Sequence, residues 1–313
     1  MANYLVTGGC GFIGSHIAEA LVGRGQSVRI VDNLSTGNQA NVSEFADRVD
    51  LRIGDIADGD FMREAVQGID IIFHQAALAS VPRSVERPLD THAACVTGTV
   101  TLLDAARRAG VRRVVYAASS SAYGDLEASS KRETDLPGPL SPYAAAKLAA
   151  EYYCHAFYRT YGLETVAIRY FNVFGPRQDP DSPYSAVIPI FISKMLAGVC
   201  PVIYGDGYQS RDFTFVANVV HGNLLASEAK DAPGRTINVA NGHSVTLRKL
   251  VSALNERLGT NIEPEYAPPR VGDVKESMAD ITLARRVLDY EPQVYFDEGL
   301  DRSIAYYRSL IEA

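Results

Sequence analysis

The stretch YLVTGGCGFIGSHIAEAL, residues 4–21, joins a β-branched run to a helical one through three spaced glycines, Gly8, Gly11 and Gly14. Few folds require that spacing. The first glycine permits a tight turn out of a strand, the second lets a diphosphate approach the backbone, and the third lets the helix pack close on the sheet. First-turn amides and the helix dipole then face the anion. Asp32 ends the next strand-like run, about 20 residues on, where such turns place an acid. A carboxylate there accepts bonds from the adenosine ribose hydroxyls and repels a 2′-phosphate, which selects NAD over NADP. Asp55, ending RIGD with Ile56 after it, is placed to meet the adenine edge.

The remainder of the first half suits such a turn. NYLVTG, SVRIVD, VDLRIGD, DIIFHQA and RRVVYAAS read as short strands, with helical patterns between several of them, as over 12–24 and about 90–109. That alternation predicts an α/β fold, a Rossmann-type doubly wound parallel sheet whose ligands lie beyond the carboxyl ends of the strands. After about residue 171 Pro and Gly become frequent and the elements shorten. The expected division is a dinucleotide-binding domain over 1–171 and a smaller C-terminal substrate-binding α/β domain over 172–313, with some later segments returning to the first. No internal repeat is visible.

Composition narrows the partners. A net charge of −7 without a long basic run argues against nucleic acid or an anionic membrane. No apolar run reaches the roughly 18 residues of a spanning helix, and no targeting pattern opens the chain. Cys10, Cys95, Cys154 and Cys200 are scattered, without CxxC or a histidine at metal spacing. They read as free thiols of a cytoplasmic protein, and no metal site is expected.

A second constellation lies in SPYAAAKLAAEYY, residues 141–153. Ser141 is a good N-cap and Pro142 suits the first helical position, so Tyr143 falls in the first turn with Lys147 one turn on, on the same face. Making a phenol ionise at neutral pH takes about 3 pKa units, or about 4 kcal/mol. One cation about 4 Å away at an effective dielectric of 20 supplies about that much. Tyr143 is therefore a candidate general base, with Lys147 depressing its pKa and holding the cofactor ribose. Ser119 ends the strand RRVVYAAS, and Ser120 and Ser121 follow it at its carboxyl edge, where any one of the three can share a substrate hydroxyl's proton with the tyrosine.

TGGCGFIG, VDNLSTG, HQAALASVPRS, ASSSAYGD, SPYAAAK, RYFNVFGPRQDP, YGDGYQSRDF and PPRVGDVKESMAD follow one another along nearly the whole chain. In that order they resemble the extended short-chain dehydrogenase/reductase family, and within it most closely the UDP-glucose/UDP-N-acetylglucosamine 4-epimerases. The resemblance implies that Tyr143 takes the proton of the sugar 4-hydroxyl while the C4 hydride passes to NAD, and that the 4-keto sugar turns over and takes the hydride back on its other face. It implies cofactor contacts at Gly8, Gly11, Phe12, Ile13, Gly14, Asp32, Asn33, Ser35, Asp55, Ile56, Ala76, Ala77, Tyr143, Lys147 and Tyr170. For the UDP-sugar it implies Arg83, Ser120, Ser121, Asn172, Val187, Tyr204, Arg211, Arg270, Asp273 and Ser277. The arginines suit a diphosphate, because a guanidinium fork binds phosphate oxygens in pairs.

Three departures stand out. Cys95 occupies a place where the family usually has asparagine. The serine stretch is short; counting from its first serine nominates Ser121 as catalytic, whereas counting back from Tyr123-Gly124 nominates Ser119, which is preferred because that pair anchors the loop end. Ser277 stands where glucose-restricted relatives resemble one another in carrying a bulky tyrosine, and its small size leaves room for a 2-acetamido group. The expected substrates are therefore UDP-Glc/UDP-Gal and UDP-GlcNAc/UDP-GalNAc. SSSAYG lacks the acids that dehydratases and decarboxylases resemble one another in carrying. The alternatives are a UDP-glucuronate 4-epimerase and a non-catalytic dinucleotide sensor. Helices near 90–109 and 142–161 are apolar on more than one face, which suggests a homodimer.

Overall fold

Alternating burial builds the centre of the molecule, as seen in a computed structural model that describes residues 2–126, 128, 130–180, 186–269 and 275–312. Along β1 (Asn3–Thr7), Tyr4 and Val6 pack into one apolar cluster and Leu5 into another. The same alternation recurs in β2 (Ser27–Asp32), β4 (Ile71–His74) and β5 (Arg113–Ser119), with β3 (Val49–Ile53) at one edge and β6 (Glu164–Tyr170) beyond β5. A strand buried on both faces must be apolar at both parities, which is why these runs read as nearly continuous β-branched stretches.

Short strands follow: β7 (Val173–Phe174), β8 (Val202–Tyr204), β9 (Ser210–Arg211) and β10 (Thr214–Phe215), then β11 (Arg235–Val239), β12 (Val245–Thr246), β13 (Glu265–Ala267) and β14 (Glu276–Ser277). The main sheet has seven parallel strands in the order β11-β6-β5-β4-β1-β2-β3. Its strand order reverses between β1 and β4, the crevice where ligands bind in doubly wound sheets. The fold class is thus the expected α/β one, and β11 lies beside β6 although 65 residues separate Tyr170 from Arg235.

The helices are α1 (Phe12–Gly23), α2 (Gly59–Ala65), α3 (Val81–Glu86), α4 (Pro88–His92), α5 (Gly98–Ala109), α6 (Pro142–Tyr161), α7 (Val187–Leu196), α8 (Val216–Glu228), α9 (Leu247–Leu258), α10 (Thr282–Leu288) and α11 (Phe296–Glu312). The helical run anticipated over about 90–109 is divided: a π-helical turn, Ala93–Thr97, separates α4 from α5 and carries Cys95. Such turns gather at functional sites. A buried pair locks α6 to the sheet, Arg169 Nη2 of β6 lying 2.7 Å from Glu151 Oε1 and its Nε 3.0 Å from Oε2. Because Glu151 is one turn beyond Lys147, this pair also sets the height of the α6 N-terminus. A separate apolar cluster, with Phe174, Phe213, Phe215 and Phe296 in mutual ring contact, packs β7 and β10 against α7, α9 and α11.

Candidate active site

Gly8 has φ +67°, and a Cβ there would stand 2.7 Å from the Ala76 nitrogen just past β4. At Gly14 a Cβ would overlap the Gly8 carbonyl oxygen, so only glycine lets α1 press onto the turn. Gly11 differs. A Cβ there would meet one neighbour, the Gly8 oxygen at 3.1 Å, and the residue starts α1 without any side-chain cap. Phe12 and Ile13 turn their side chains toward the apolar clusters, so they offer a ligand their backbone amides. Asp32 fastens this turn to β2: its carboxylate accepts from Cys10 N at 3.0 Å and from Leu34 N at 2.8 Å.

Asn33, Ser35 and Asp55 form an exposed rim beyond β2 and β3. Asn33 Nδ2 donates to Asp55 Oδ2 at 3.0 Å, and Ser35 N donates to Asn33 Oδ1 at 3.1 Å. Ile56 beside them is buried, against Gly98. Ala76 lies on the glycine turn, while Ala77 packs with Cys95, Val96 and Ala146.

Ser141 Oγ accepts from Ala144 N at 3.2 Å and Pro142 opens α6, as the sequence requires. Tyr143, half-buried, shares a hydrogen bond with Ser119. The Ser119 oxygen accepts from both Ser121 N (3.2 Å) and Ser121 Oγ (2.8 Å), which leaves its own proton for the phenol. The geometry therefore joins Ser119, not Ser121, to Tyr143, and Ser120 begins the short 3-10 turn Ser120–Tyr123.

The Lys147 ammonium has a partner other than the phenol: it lies over the Tyr116 ring, 4.5 Å from the centroid, and makes no hydrogen bond among the described residues. Burial and the neighbouring Cys95 push the Tyr143 phenol up to about 12, offset only by the Ser119 hydrogen bond. Lys147 has no part in that shift: the helical spacing sets both residues on one face, but the flexible lysine stem carries its charge to the π-face of Tyr116. Desolvation also lowers the ammonium's own pKa. Tyr170 is buried, with its hydroxyl 3.2 Å from Gln75 Oε1 and 3.0 Å from Asn223 Oδ1. That amide network gave no sequence signal, since its members come from three distant segments.

On the other side, Arg211 of β9 pairs in register with Ser277 of β14, and the Ser277 carbonyl accepts from Asp212 N at 2.7 Å. Asp212 is another residue that sequence reasoning missed. Fully buried, its carboxylate accepts from three backbone amides, Asn241 (3.0 Å), Gly242 (2.9 Å) and Ala279 (3.2 Å), so it ties Arg211 and Ser277 to the segment after β11. Burial pushes this carboxyl up to about 7. An acid next to an arginine in SRDF was the only available hint. Asn172 has φ +33°, and its carbonyl accepts from Thr214 N at 3.2 Å. Val187 opens α7 against the C-terminal apolar cluster, and the Tyr204 carbonyl accepts from Gln209 Nε2. Arg83, half-buried in α3, has no side-chain partner among the described residues. Arg270 and Asp273 lie outside the described residues. No group of three His, Cys, Asp or Glu suited to a metal ion occurs among the described residues.

The chain suits NAD on two counts of its own geometry. An uncapped helix start behind Gly11 presents amides to a diphosphate. A buried lysine whose ammonium has no hydrogen-bond partner among the described residues, one turn behind Tyr143, matches a pair of ribose hydroxyls.

Comparison with known proteins agrees. The UDP-glucose 4-epimerase of Mycolicibacterium smegmatis is 40% identical over 310 residues, covering 97% of this chain and 98% of that protein. A solved UDP-glucose 4-epimerase of Thermotoga maritima, with UDP-glucose, superposes with a TM-score of 0.95 at 38% identity over 99% of both chains. A solved UDP-N-acetylglucosamine 4-epimerase of Methanobrevibacter ruminantium, in complex with UDP-N-acetylmuramic acid, gives 0.94 at 40% identity, again over 99% of both. The profile of the NAD dependent epimerase/dehydratase family matches residues 4–240. With a dinucleotide turn, a Ser-Tyr-Lys cluster and relatives of this closeness all in accord, the chain belongs to that family.

Proposed function

We propose that this protein is a UDP-hexose 4-epimerase that interconverts UDP-Glc with UDP-Gal and UDP-GlcNAc with UDP-GalNAc. One observation carries the reading: the Tyr143 phenol, bonded to Ser119, stands on the first turn of α6 with the Lys147 ammonium one turn behind it. NAD, when bound, supplies reversible hydride transfer at the sugar C4. Tyr143 takes the 4-hydroxyl proton and, once the 4-keto sugar has turned over, returns it to the same oxygen. Ser119 orients that hydroxyl, its own oxygen already fixed by two bonds from Ser121. Lys147, not held over Tyr116 by any hydrogen bond, is available to the ribose hydroxyls and to the phenol. Arg211 draws the diphosphate, so the hexose turns about a fixed anchor, and Ser277 beside it leaves room for a 2-acetamido group. The division of labour follows the chain, with residues 1–171 on the cofactor side and 172–313 mainly on the sugar side, β11, α8 and α10 excepted. The assembly is a homodimer, supported by the exposed Val85, Leu89, Tyr152 and Tyr153 on packed neighbours α3, α4 and α6. Four free thiols suit a reducing, cytoplasmic setting.

The test is turnover of UDP-Glc, UDP-GlcNAc and UDP-glucuronate by NMR. Equilibration of the first two supports the reading. Equilibration of UDP-glucuronate alone replaces it with the uronate activity, and no turnover of any UDP-sugar removes it.

A further inference from the structure

The loop after β6 is held in a conformation it would not adopt unaided. Two non-glycine residues in it, Asn172 (φ +33°) and Arg177 (φ +67°), lie in the left-handed region, where a side chain persists only if its surroundings enforce it. The enforcement comes from two sides. From α1, His16 Nε2 donates to the Pro176 carbonyl at 3.0 Å, and Glu19 Oε2 lies 2.9 Å from Arg177 Nη2. From α11, the Tyr307 hydroxyl donates to the Gln178 carbonyl at 2.5 Å.

The Arg177–Glu19 contact is the informative one. The arginine side chain is 15% exposed and that of Glu19 44%, and the Arg177 Nη1 is buried without a partner among the described residues. A buried arginine with an unmet donor is a poor device for stability alone, since an apolar side chain of similar volume would serve better. What it does supply is direction: a fixed vector from the middle of the loop to the helix whose first turn is the glycine-rich one. His16 completes the grip as a neutral donor, because burial lowers its pKa.

We propose that Arg177, gripped by Glu19, is a positioning residue for the nucleotide-sugar, setting the loop that carries Asn172 at a fixed place against the helix that opens the cofactor turn. The proposal rests on the UDP-sugar reading of the site and adds a residue to it. The experiment compares Glu19→Arg, Arg177→Glu and the double variant that restores an inverted pair. For each, KM and kcat with UDP-glucose, bound NAD, and UDP affinity by calorimetry are measured. Each single variant is expected to raise KM and weaken UDP binding roughly tenfold, with kcat within about twofold and NAD content unchanged, and the double variant to recover both to within about threefold. Unchanged KM and UDP affinity in the singles overturn the proposal, as does a loss that the double variant does not recover. Should either reversal fail to fold, Glu19→Gln and Arg177→Lys are read by UDP affinity alone, which must weaken severalfold for the proposal to stand. If the wild type turns over no UDP-sugar while the variants still show this pattern in UDP binding, the positioning role of Arg177 stands and the epimerase reading falls.

Discussion

At pH 7 a phenol pushed up to about 12 is ionised in only about one molecule in 10⁵, a deficit of about 7 kcal/mol for a pre-formed base. Tyr143 therefore takes the proton either from the small fraction already deprotonated or after a nearby positive charge has lowered its pKa. Either way the deprotonated form does the work, so kcat/KM should climb about tenfold per pH unit below the phenol's pKa in the loaded enzyme, then level off. A pH–rate profile between 6 and 10 checks this; a flat profile argues against Tyr143 as the base. Tyr143→Phe should retain NAD while losing about 10³-fold in kcat, read by single-turnover assay. Ser277 allows a second prediction at this scale. With Ser277→Tyr, turnover of UDP-GlcNAc should fall about 10²-fold while that of UDP-glucose stays within about threefold, because a phenol beside Arg211 would fill the space proposed for the acetamido group. Equal loss of both substrates would show that neighbouring loops, and not this side chain, shape the pocket. The roles of Gly8 and Gly14 were legible in the sequence because their backbone demands leave no other residue. The direction of Lys147 was not, since helical spacing fixes where a side chain starts and not which aromatic face draws its end.

Among the elements, β4 carries a histidine whose wiring can be read. Thr99 Oγ1 donates to the Cys95 carbonyl at 2.6 Å, so it must accept from His74 Nε2 at 2.9 Å, and His74 Nδ1 then accepts from Thr7 Oγ1 at 2.7 Å. The ring is neutral and ties β4 to β1 and α5 just below the π-helical turn. Burial, aided by Lys147, lowers its pKa from 6.5 to about 3. Between those values the unfolded chain binds a proton that the folded chain refuses, so this residue's contribution falls as pH drops through that window. At pH 5 the loss is about 2 kcal/mol relative to neutral pH. Asp212, pushed up to about 7, acts with the opposite sign over much of the same range, so the intact protein hides both trends. The difference between wild type and His74→Leu isolates one of them. That stability gap should narrow by about 2 kcal/mol from pH 7 to pH 5 in urea denaturation, and a constant gap would mean the ring is protonated in the fold. β1 to β5 and α6 were readable from period and caps, whereas β6 was not singled out. The break at Ala93–Thr97 was not, because a π-turn keeps the helical period on either side of it.

For the molecule as a whole, the chain divides into a part that its own periodicity describes and a part that only long-range pairing creates. β1, β2, β4 and β5 are buried runs that announce themselves. β7, β9, β10, β12 and β14 are two residues each, too short for any pattern, and exist because distant segments meet: Ser210 with Glu276, Thr214 with Val173. The substrate-side residues were therefore legible only through motif resemblance, with their partners hidden. The outer face of α6 poses the opposite problem, a pattern too apolar for the surface it occupies. Tyr152 and Tyr153 are 55% and 43% exposed there, and Leu89 of α4, which packs against the same helix, is 82% exposed. Apolar side chains clustered on one face of a chain with a −7 charge favour a partner with the same patch, and a two-fold axis brings each patch to its own copy. Light scattering should accordingly return twice 33.9 kDa. Leu89→Asp combined with Tyr153→Asp would place like charges across the axis and bring the mass down to that of one chain, with the UDP-sugar affinity of each subunit retained. A wild-type mass of 33.9 kDa, or a doubled mass that survives both substitutions, would locate the association elsewhere or nowhere, and would leave that apolar face to another partner.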